Sequence, residues 1–374
     1  MRKRRLGLIV NPIAGLGGTV ALNGTDGLAE EALRRGAWPL AISRAVAALR
    51  ALARGVPDVD IYCYDNAMGG SPARTAGFIP RIVGNAARDP SSADDTRAAA
   101  RALADADVEL LLFAGGDGTA CDVFDGAGTR LPILGIPAGV KMHSGVFAVT
   151  PAAAGTLVSL YFEARKGIAM LRDADIMDID EAARGRGRLS ARLHGAARSP
   201  YHARLRQNPK AGGSAEEPNA LRELAASVAG SLAGDTIYLL GPGTTMAAIK
   251  TQAGIRGTML GVDAVKDGRP LGLNLGQPQI LRLLARNTPA RLIVSPLGGQ
   301  GFVFGRGNQQ LGVPVLRSLG RENIIIVATV GKIVALGGAG LLVDTGDETL
   351  DRELAGWHRV ITGPNQSTMY RIAA

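Results

Sequence analysis

The chain has 374 residues, of which 46% are hydrophobic and 20% charged, and that length exceeds what one hydrophobic core usually supports, so two or three domains are expected. A net charge of +9 suits an anionic partner: nucleic acid, a membrane surface or a phosphorylated small molecule. Aromatic residues make up only 4% of the chain and the arginines are scattered, which disfavours stacking platforms for single-stranded nucleic acid, so no nucleic-acid partner is expected.

The chain opens with Met1-Arg-Lys-Arg-Arg5 and then Leu6 to Val10, an apolar run too short for the core of a signal peptide, which reads as a first strand. Further strands are predicted at Val59 to Tyr64, Glu109 to Ala114 and Pro132 to Ile136. Helices are predicted at Gly27 to Arg35, Arg44 to Arg54 and Asp95 to Asp105, the last behind candidate caps Ser92 and Asp94. This alternation is the pattern of a doubly wound parallel sheet. Pro151 to Lys166 reads as a helix, and Asp175 to Asp180 interleaves apolar and polar residues as a half-buried strand does.

Residues Ala182 to Gly187 and Gln207 to Pro218 are rich in Gly, Ala and charge, and the second stretch reads as a boundary. Beyond it the β-α rhythm resumes. A helix is predicted at Asn219 to Ala229, with strands at Thr236 to Leu240, Thr258 to Val262, Arg291 to Ser295 and Asn323 to Ala328. Pro278 to Ala285 and Pro314 to Leu319 read as helices opened by proline. The expected organisation is a nucleotide-binding α/β domain over 1–150 and a mixed α/β substrate domain over 151–345, with a sub-boundary near 207–218. Residues 346–374 form a C-terminal segment that can return to the first domain. No apolar stretch approaches the roughly 18 residues of a membrane span, and Cys63 and Cys121 are too few for a disulfide framework, so a cytoplasmic protein without a membrane partner is expected.

The chemistry concentrates in glycine loops that follow strands. Gly115-Gly-Asp-Gly-Thr119 lies between the strand ending at Ala114 and the short helix Ala120 to Asp125, so its backbone N–H groups can approach phosphate oxygens at a helix N-terminus. Asp117 can accept a proton from an attacking hydroxyl or help hold a cation; the plainer alternative is a tight turn with Asp117 as a cap. A second loop, Gly135-Ile-Pro-Ala-Gly-Val-Lys141-Met-His143-Ser144, follows the next strand and belongs on the same sheet edge. There Lys141 can meet a phosphate and Ser144 can donate to one, whereas His143 is more often a surface residue than a catalyst. Asn11-Pro-Ile-Ala-Gly15 repeats the layout, so Asn11 can line the same crevice. The hydroxyls of Gly241-Pro-Gly-Thr-Thr245 can bind an anion or simply cap a helix. Gly298-Gly-Gln-Gly301 and Gly305-Arg-Gly-Asn-Gln-Gln310 gather Arg306 and Asn308, which suit recognition of a polar ligand. No cluster has the spacing of a protein metal site, and no Walker-type P-loop is present.

The Gly115 to Thr119 loop resembles the signature of the ATP-NAD kinase and diacylglycerol kinase superfamily. Asn11 to Gly18, Gly24 to Gly27, Gly135 to Ser144, Gly298 to Gln310 and Val343 to Asp347 together resemble the branch named for acetoin-catabolism protein X. The resemblance implies an N-terminal α/β domain carrying the nucleotide loop, a C-terminal portion rich in β structure and an active site in the cleft between them. It also implies ATP with magnesium (Mg2+) as cofactors, a homo-oligomer, and NAD as the first-guess acceptor. By position, Asp117 would activate the acceptor hydroxyl, while Gly115, Gly116, Gly118 and Thr119 would hold nucleotide phosphates beside Asn11. NAD kinases grip a ribose with an Asn-Glu pair, for which Asp180-Glu181 is the imperfect equivalent, and Asn23 and Cys121 stand where Lys and Arg are expected in the branch. The rival expectations are a regulatory protein that kept the fold without the chemistry, and a kinase of a diol or sugar.

Overall fold

The computed structural model describes residues 3–20, 29–37, 39–139, 142–163, 170–179, 191–202, 205, 218–286, 288–297, 301–336 and 340–373. The chain divides into two compact units: Met1–Leu16, Gly24–Ala29 and Trp38–Pro209 in the first, and Gly17–Asn23, Glu30–Ala37 and Lys210–Ala374 in the second.

The first unit is built on five parallel strands, β1 (Arg4–Val10), β2 (Val59–Tyr64), β3 (Arg81–Gly84), β4 (Leu110–Gly115) and β5 (Ile133–Pro137), in the order β3-β2-β1-β4-β5. Every residue of β4 and β5 is buried, which is why their sequences are continuous apolar runs rather than alternating ones. Successive side chains still divide between two faces. Leu6, Leu8, Val10, Leu110 and Leu112 pack under helices Leu40–Gly55 and Pro151–Glu163, while Ile9, Leu111 and Phe113 pack under helices Ala93–Asp105 and Asp117–Ala127. The sheet is therefore doubly wound, as its sequence pattern predicts. Helices Leu40–Gly55 and Pro151–Glu163 touch at Gly155, where an added Cβ would lie 2.1 Å from the Ala48 carbonyl oxygen. Helix Ala93–Asp105 begins at a capping box in which the Ser92 hydroxyl accepts from Asp95 N and the Asp95 carboxylate accepts from Ser92 N, selecting Ser92 over Asp94 as the cap. An antiparallel pair, β6 (Met170–Ile179) and β7 (Ala191–Tyr201), completes this unit.

The second unit carries a nine-stranded mixed sheet formed by β8 (Ile237–Leu240), β9 (Val262–Lys266), β10 (Arg269–Leu275), β11 (Ala290–Val294), β12 (Phe302–Phe304), β13 (Ile324–Val327), β14 (Leu341–Val343), β15 (Gly356–Gly363) and β16 (Gln366–Ala373). Their order is β10-β9-β8-β11-β13-β15-β16-β14-β12, so the C-terminal strands β15 and β16 lie inside this sheet. Neighbours β8, β11, β13 and β15 run parallel. Three pairs are antiparallel: β8–β9, and two hairpins, of which β9–β10 turns at Asp267-Gly268, both at positive φ, and β15–β16 turns near Asn365, also at positive φ. The edge strand β10 is interrupted by two register shifts.

One predicted strand is displaced. The sequence places a strand at Thr258 to Val262, but the structure starts β9 only at Val262. The cause is a buried ion pair, Lys250 to Asp263 at 2.8 Å, with the two side chains 2% and 0% exposed. Asp263 accepts from Thr258 N, Thr258 Oγ1 and Asn274 N, while Lys250 Nζ donates to the carbonyls of Thr258 and Gly261. These charges take the backbone groups that a strand would have given to a neighbour. Lys250→Met should destabilise the protein by about 3–5 kcal/mol in denaturant unfolding, because it leaves the Asp263 charge buried beside its remaining donors. A loss below ~1 kcal/mol would mean that the pair is not what holds the loop.

Candidate functional site

In the first unit the strand order reverses at β1, so the loops after β1 and β4 leave the sheet side by side at a topological switch point, where open α/β sheets bind ligands. Asn11 joins the two loops. Its backbone N–H donates to Ala114 O and its Nδ2 donates to Thr119 Oγ1, both at 3.0 Å, while its Oδ1 accepts from Ile13 N at 3.2 Å. Gly115 makes room for this: an added Cβ would lie 2.4 Å from Thr119 Cβ. Gly15, at φ +79°, lets the first loop run against Ala138 beyond β5. Gly118 differs from these, because among the described residues a Cβ there would meet nothing within 4 Å. It leaves open space at the first turn of helix Asp117–Ala127, whose N-cap Gly116 supplies no side-chain cap. Unfilled room beside helix N–H groups fits a phosphate.

Asp117 opens that helix and is buried. Its Oδ2 accepts from His143 N at 2.8 Å, and its Oδ1 accepts from Ser144 N at 2.9 Å and Ser144 Oγ at 2.6 Å. The Ser144 hydroxyl in turn accepts from Met177 N at 2.9 Å, and Gly145 N donates to Asp175 O, so β6 braces the segment that grips the carboxylate. Phe147 anchors the same segment by packing over Gly135 and edge-on to Phe113, with ring centroids 5.5 Å apart. The helix is fixed from outside by Arg97, which is paired with both Asp94 and Asp122. Lower on its flank His194 meets Asp125 at 2.7 Å. The same helix carries Cys121, whose thiol burial pushes up to about 12; the Cys63 thiol in β2 is raised likewise to about 12.

The structure thus groups Asn11, Gly115, Gly116, Asp117, Gly118, Thr119 and Ser144 at one edge of the first sheet. Lys141, Asp180 and Glu181 lie outside the described residues, as do Gly24 to Gly27 and Gly298 to Gln300. Arg306 and Asn308 belong to the second unit. There the buried Arg306 lies over the Phe302 ring at 4.4 Å and faces Asp344 at 3.6 Å. Asn308 donates to Val303 O and accepts from Gly305 N, so its amide closes its own turn. The bracing of Asp117 by main-chain amides and by β6 has no side-chain signature, although the alternation from Asp175 onward marks the strand that provides it. Among the described residues no three His, Cys, Asp or Glu side chains gather as a metal site, and no helix is long and apolar enough to cross a membrane.

Residues 6–166 match the family model of the ATP-NAD kinase N-terminal domain, and residues 234–372 match that of the ATP-NAD kinase C-terminal domain. The two models follow one another in order over most of the sequence, and the chain belongs to the ATP-NAD kinase superfamily. No curated protein matches it. Two solved structures of a provisionally assigned diacylglycerol kinase from Bacillus anthracis str. Sterne are similar at 17% and 16% identity, each with a TM-score of 0.26. Each match covers 48% of this chain and 47% of the other, so the chain spans about half the length of the structures it matches. A likeness at that score defines neither fold nor function.

Gly118→Ala separates ligand from fold at this site. The new methyl meets no atom of the described residues and replaces glycine within a helix, so thermal stability should stay equal or rise slightly, while affinity for ATP, if its phosphates lie at this loop, should fall at least about tenfold by calorimetry. Unchanged affinity would place the phosphates elsewhere. Both thiols should be silent to a disulfide reagent in the native protein and react fully after denaturation; a fast native thiol would contradict the burial of Cys63 and Cys121.

Proposed function

We propose that this chain is an ATP-dependent kinase that phosphorylates a hydroxyl of a small molecule, with NAD as the first acceptor to examine. The observation that carries the reading is the Asp117 carboxylate, fixed by three hydrogen bonds at the mouth of a helix whose first turn has open room at Gly118. Membership of the ATP-NAD kinase superfamily supports the same reading.

In this scheme the backbone of Gly115, Gly116, Gly118 and Thr119 binds the nucleotide phosphates, and Asn11 keeps that loop in register through Thr119. Asp117 orients the acceptor hydroxyl and takes its proton as the new O–P bond forms and the bond from the γ-phosphorus to the bridging oxygen breaks, releasing ADP. Both Asp117 oxygens already accept protein hydrogen bonds, and among the described residues no group of three His, Cys, Asp or Glu gathers as a metal site. That donor set fits a magnesium ion held chiefly by the phosphates, and such an ion would neutralise phosphate charge. Lys141 as a phosphate contact, and Asp180, Glu181, Arg306 and Asn308 as acceptor contacts, complete the proposal from sequence. The resemblance to the acetoin-catabolism branch makes diols the second class of acceptor to examine, and sugars the third.

The experiment is ATP consumption by the purified protein with magnesium, first with NAD and then with diols and sugars. Asp117→Asn should lower turnover by about 10²–10⁴-fold. The variant turns an amide NH2 toward the donors at His143 or Ser144, so a stability loss of about 1–3 kcal/mol is expected alongside and must be measured. Native-like turnover in a folded Asp117→Asn protein would remove Asp117 from the chemistry. Absence of turnover by the native protein with every acceptor would leave a nucleotide-binding regulator.

A further inference from the structure

After β12 the chain turns through Gly305 and Gly307, at φ +91° and +76°, and runs on as Asn308-Gln309-Gln310 toward helix Val313–Leu319. The fold accounts for the first polar side chains of this loop. Arg306 lies over Phe302 and faces Asp344, and Asn308 closes its own turn. The two glutamines that follow have no such account. Gln309 and Gln310 are 6% and 5% exposed, and the carbonyl oxygen of each side chain is buried with no hydrogen-bond partner among the described residues.

A third amide comes up to the same loop. Gln277 opens helix Gln277–Leu284, and a Cβ added at Gly312 would lie 2.1 Å from Gln277 Oε1 and 3.5 Å from the main-chain carbonyl oxygen of Gln309. The missing side chain at Gly312 is therefore what lets Gln277 approach. Burying an amide oxygen without a donor costs free energy that a methionine or leucine of similar size would not incur. Two such losses at neighbouring positions, in a loop whose other polar side chains are bonded, are explained by donors that arrive with a ligand.

We propose that Gln309 and Gln310, with Gln277 at their margin, form a binding site for a neutral polyhydroxy compound, either a free sugar or the ribose of a nucleoside. All three side chains are amides, with no charge to select an ion. A hydroxyl can donate to an amide oxygen and accept from an amide NH2, so the adjacent hydroxyls of a sugar ring match a cluster of amides. The site concerns binding alone and does not rest on the kinase reading: Gln277, Gln309, Gln310 and Gly312 all belong to the second unit.

The test is calorimetric titration of the whole protein with D-ribose and with uridine, without ATP, beside thermal unfolding of the ligand-free protein. Saturable binding is expected, and Gln309→Met and Gln310→Met should each weaken it at least tenfold. Tighter binding of ribose would support a site for a free sugar, and tighter binding of uridine one for a nucleoside. Methionine keeps the bulk of glutamine without its polar atoms, so both ligand-free variants should melt at the native temperature or above it. No saturable binding of either compound, or native affinity in either folded variant, would overturn the proposal. So would ligand-free variants that melt lower than the native protein or fail to fold, because the amides would then already be satisfied, by an ordered water if by nothing else. Because the readout needs no phosphoryl transfer, its failure leaves the Asp117 kinase test untouched, and failure of that test leaves this one intact.

Discussion

The Asp117 carboxylate receives two main-chain amides and one hydroxyl from the segment beyond β5, and this crossing from one strand's loop to the next organises the candidate site. A carboxylate at the first turn of a helix is already favoured by the dipole of that helix. The three donors add a direction to that preference. With Asp117 held on one side and Asn11 bonded to Thr119 on the other, the Gly115 to Thr119 loop is pinned at both ends, and Gly118 is left as the position with room beside it. The positions of these side chains come from the sheet ends rather than from the loop itself.

The glycines of the loops do different things, and the distinction matters for function. Gly115 and Gly135 are absences of volume that let Thr119 and Phe147 pack, and Gly15 adds a backbone conformation other residues rarely adopt. Gly118 satisfies neither need. Among the described residues nothing occupies the space beside it, and the proposed function puts the nucleotide phosphates there.

Much of this was legible in the sequence because the first sheet is parallel and covered on both sides. Its central strands become unbroken apolar runs, and the loops after them must emerge on a common edge, so Asn11, Asp117 and Ser144 could be placed near one another before any coordinates. Their pairing could not. Ser144 sits 27 residues from Asp117 and reaches it partly through main-chain atoms that carry no residue-type signal. The misplaced strand at Thr258 has the same origin: Lys250 and Asp263 look like ordinary charges until burial joins them. β3 carries no such signal because it is short and none of its residues is buried, so it shows no alternation. By contrast Asp267-Gly268 is a strong two-residue hairpin signal that the sequence does display between β9 and β10.

Among the described residues the long sheet of the second unit ends at β10, where Leu271 and Leu273 are exposed on a strand with a neighbour on only one side. An exposed apolar edge is a template on which further molecules can add strands. Pro270 removes one amide from the edge, Arg269 places a charge at its start, and the two register shifts break its regular spacing. The irregularity of β10 therefore protects against cross-β growth: smoothing it into an ideal strand would make a tidier sheet and a more aggregation-prone protein.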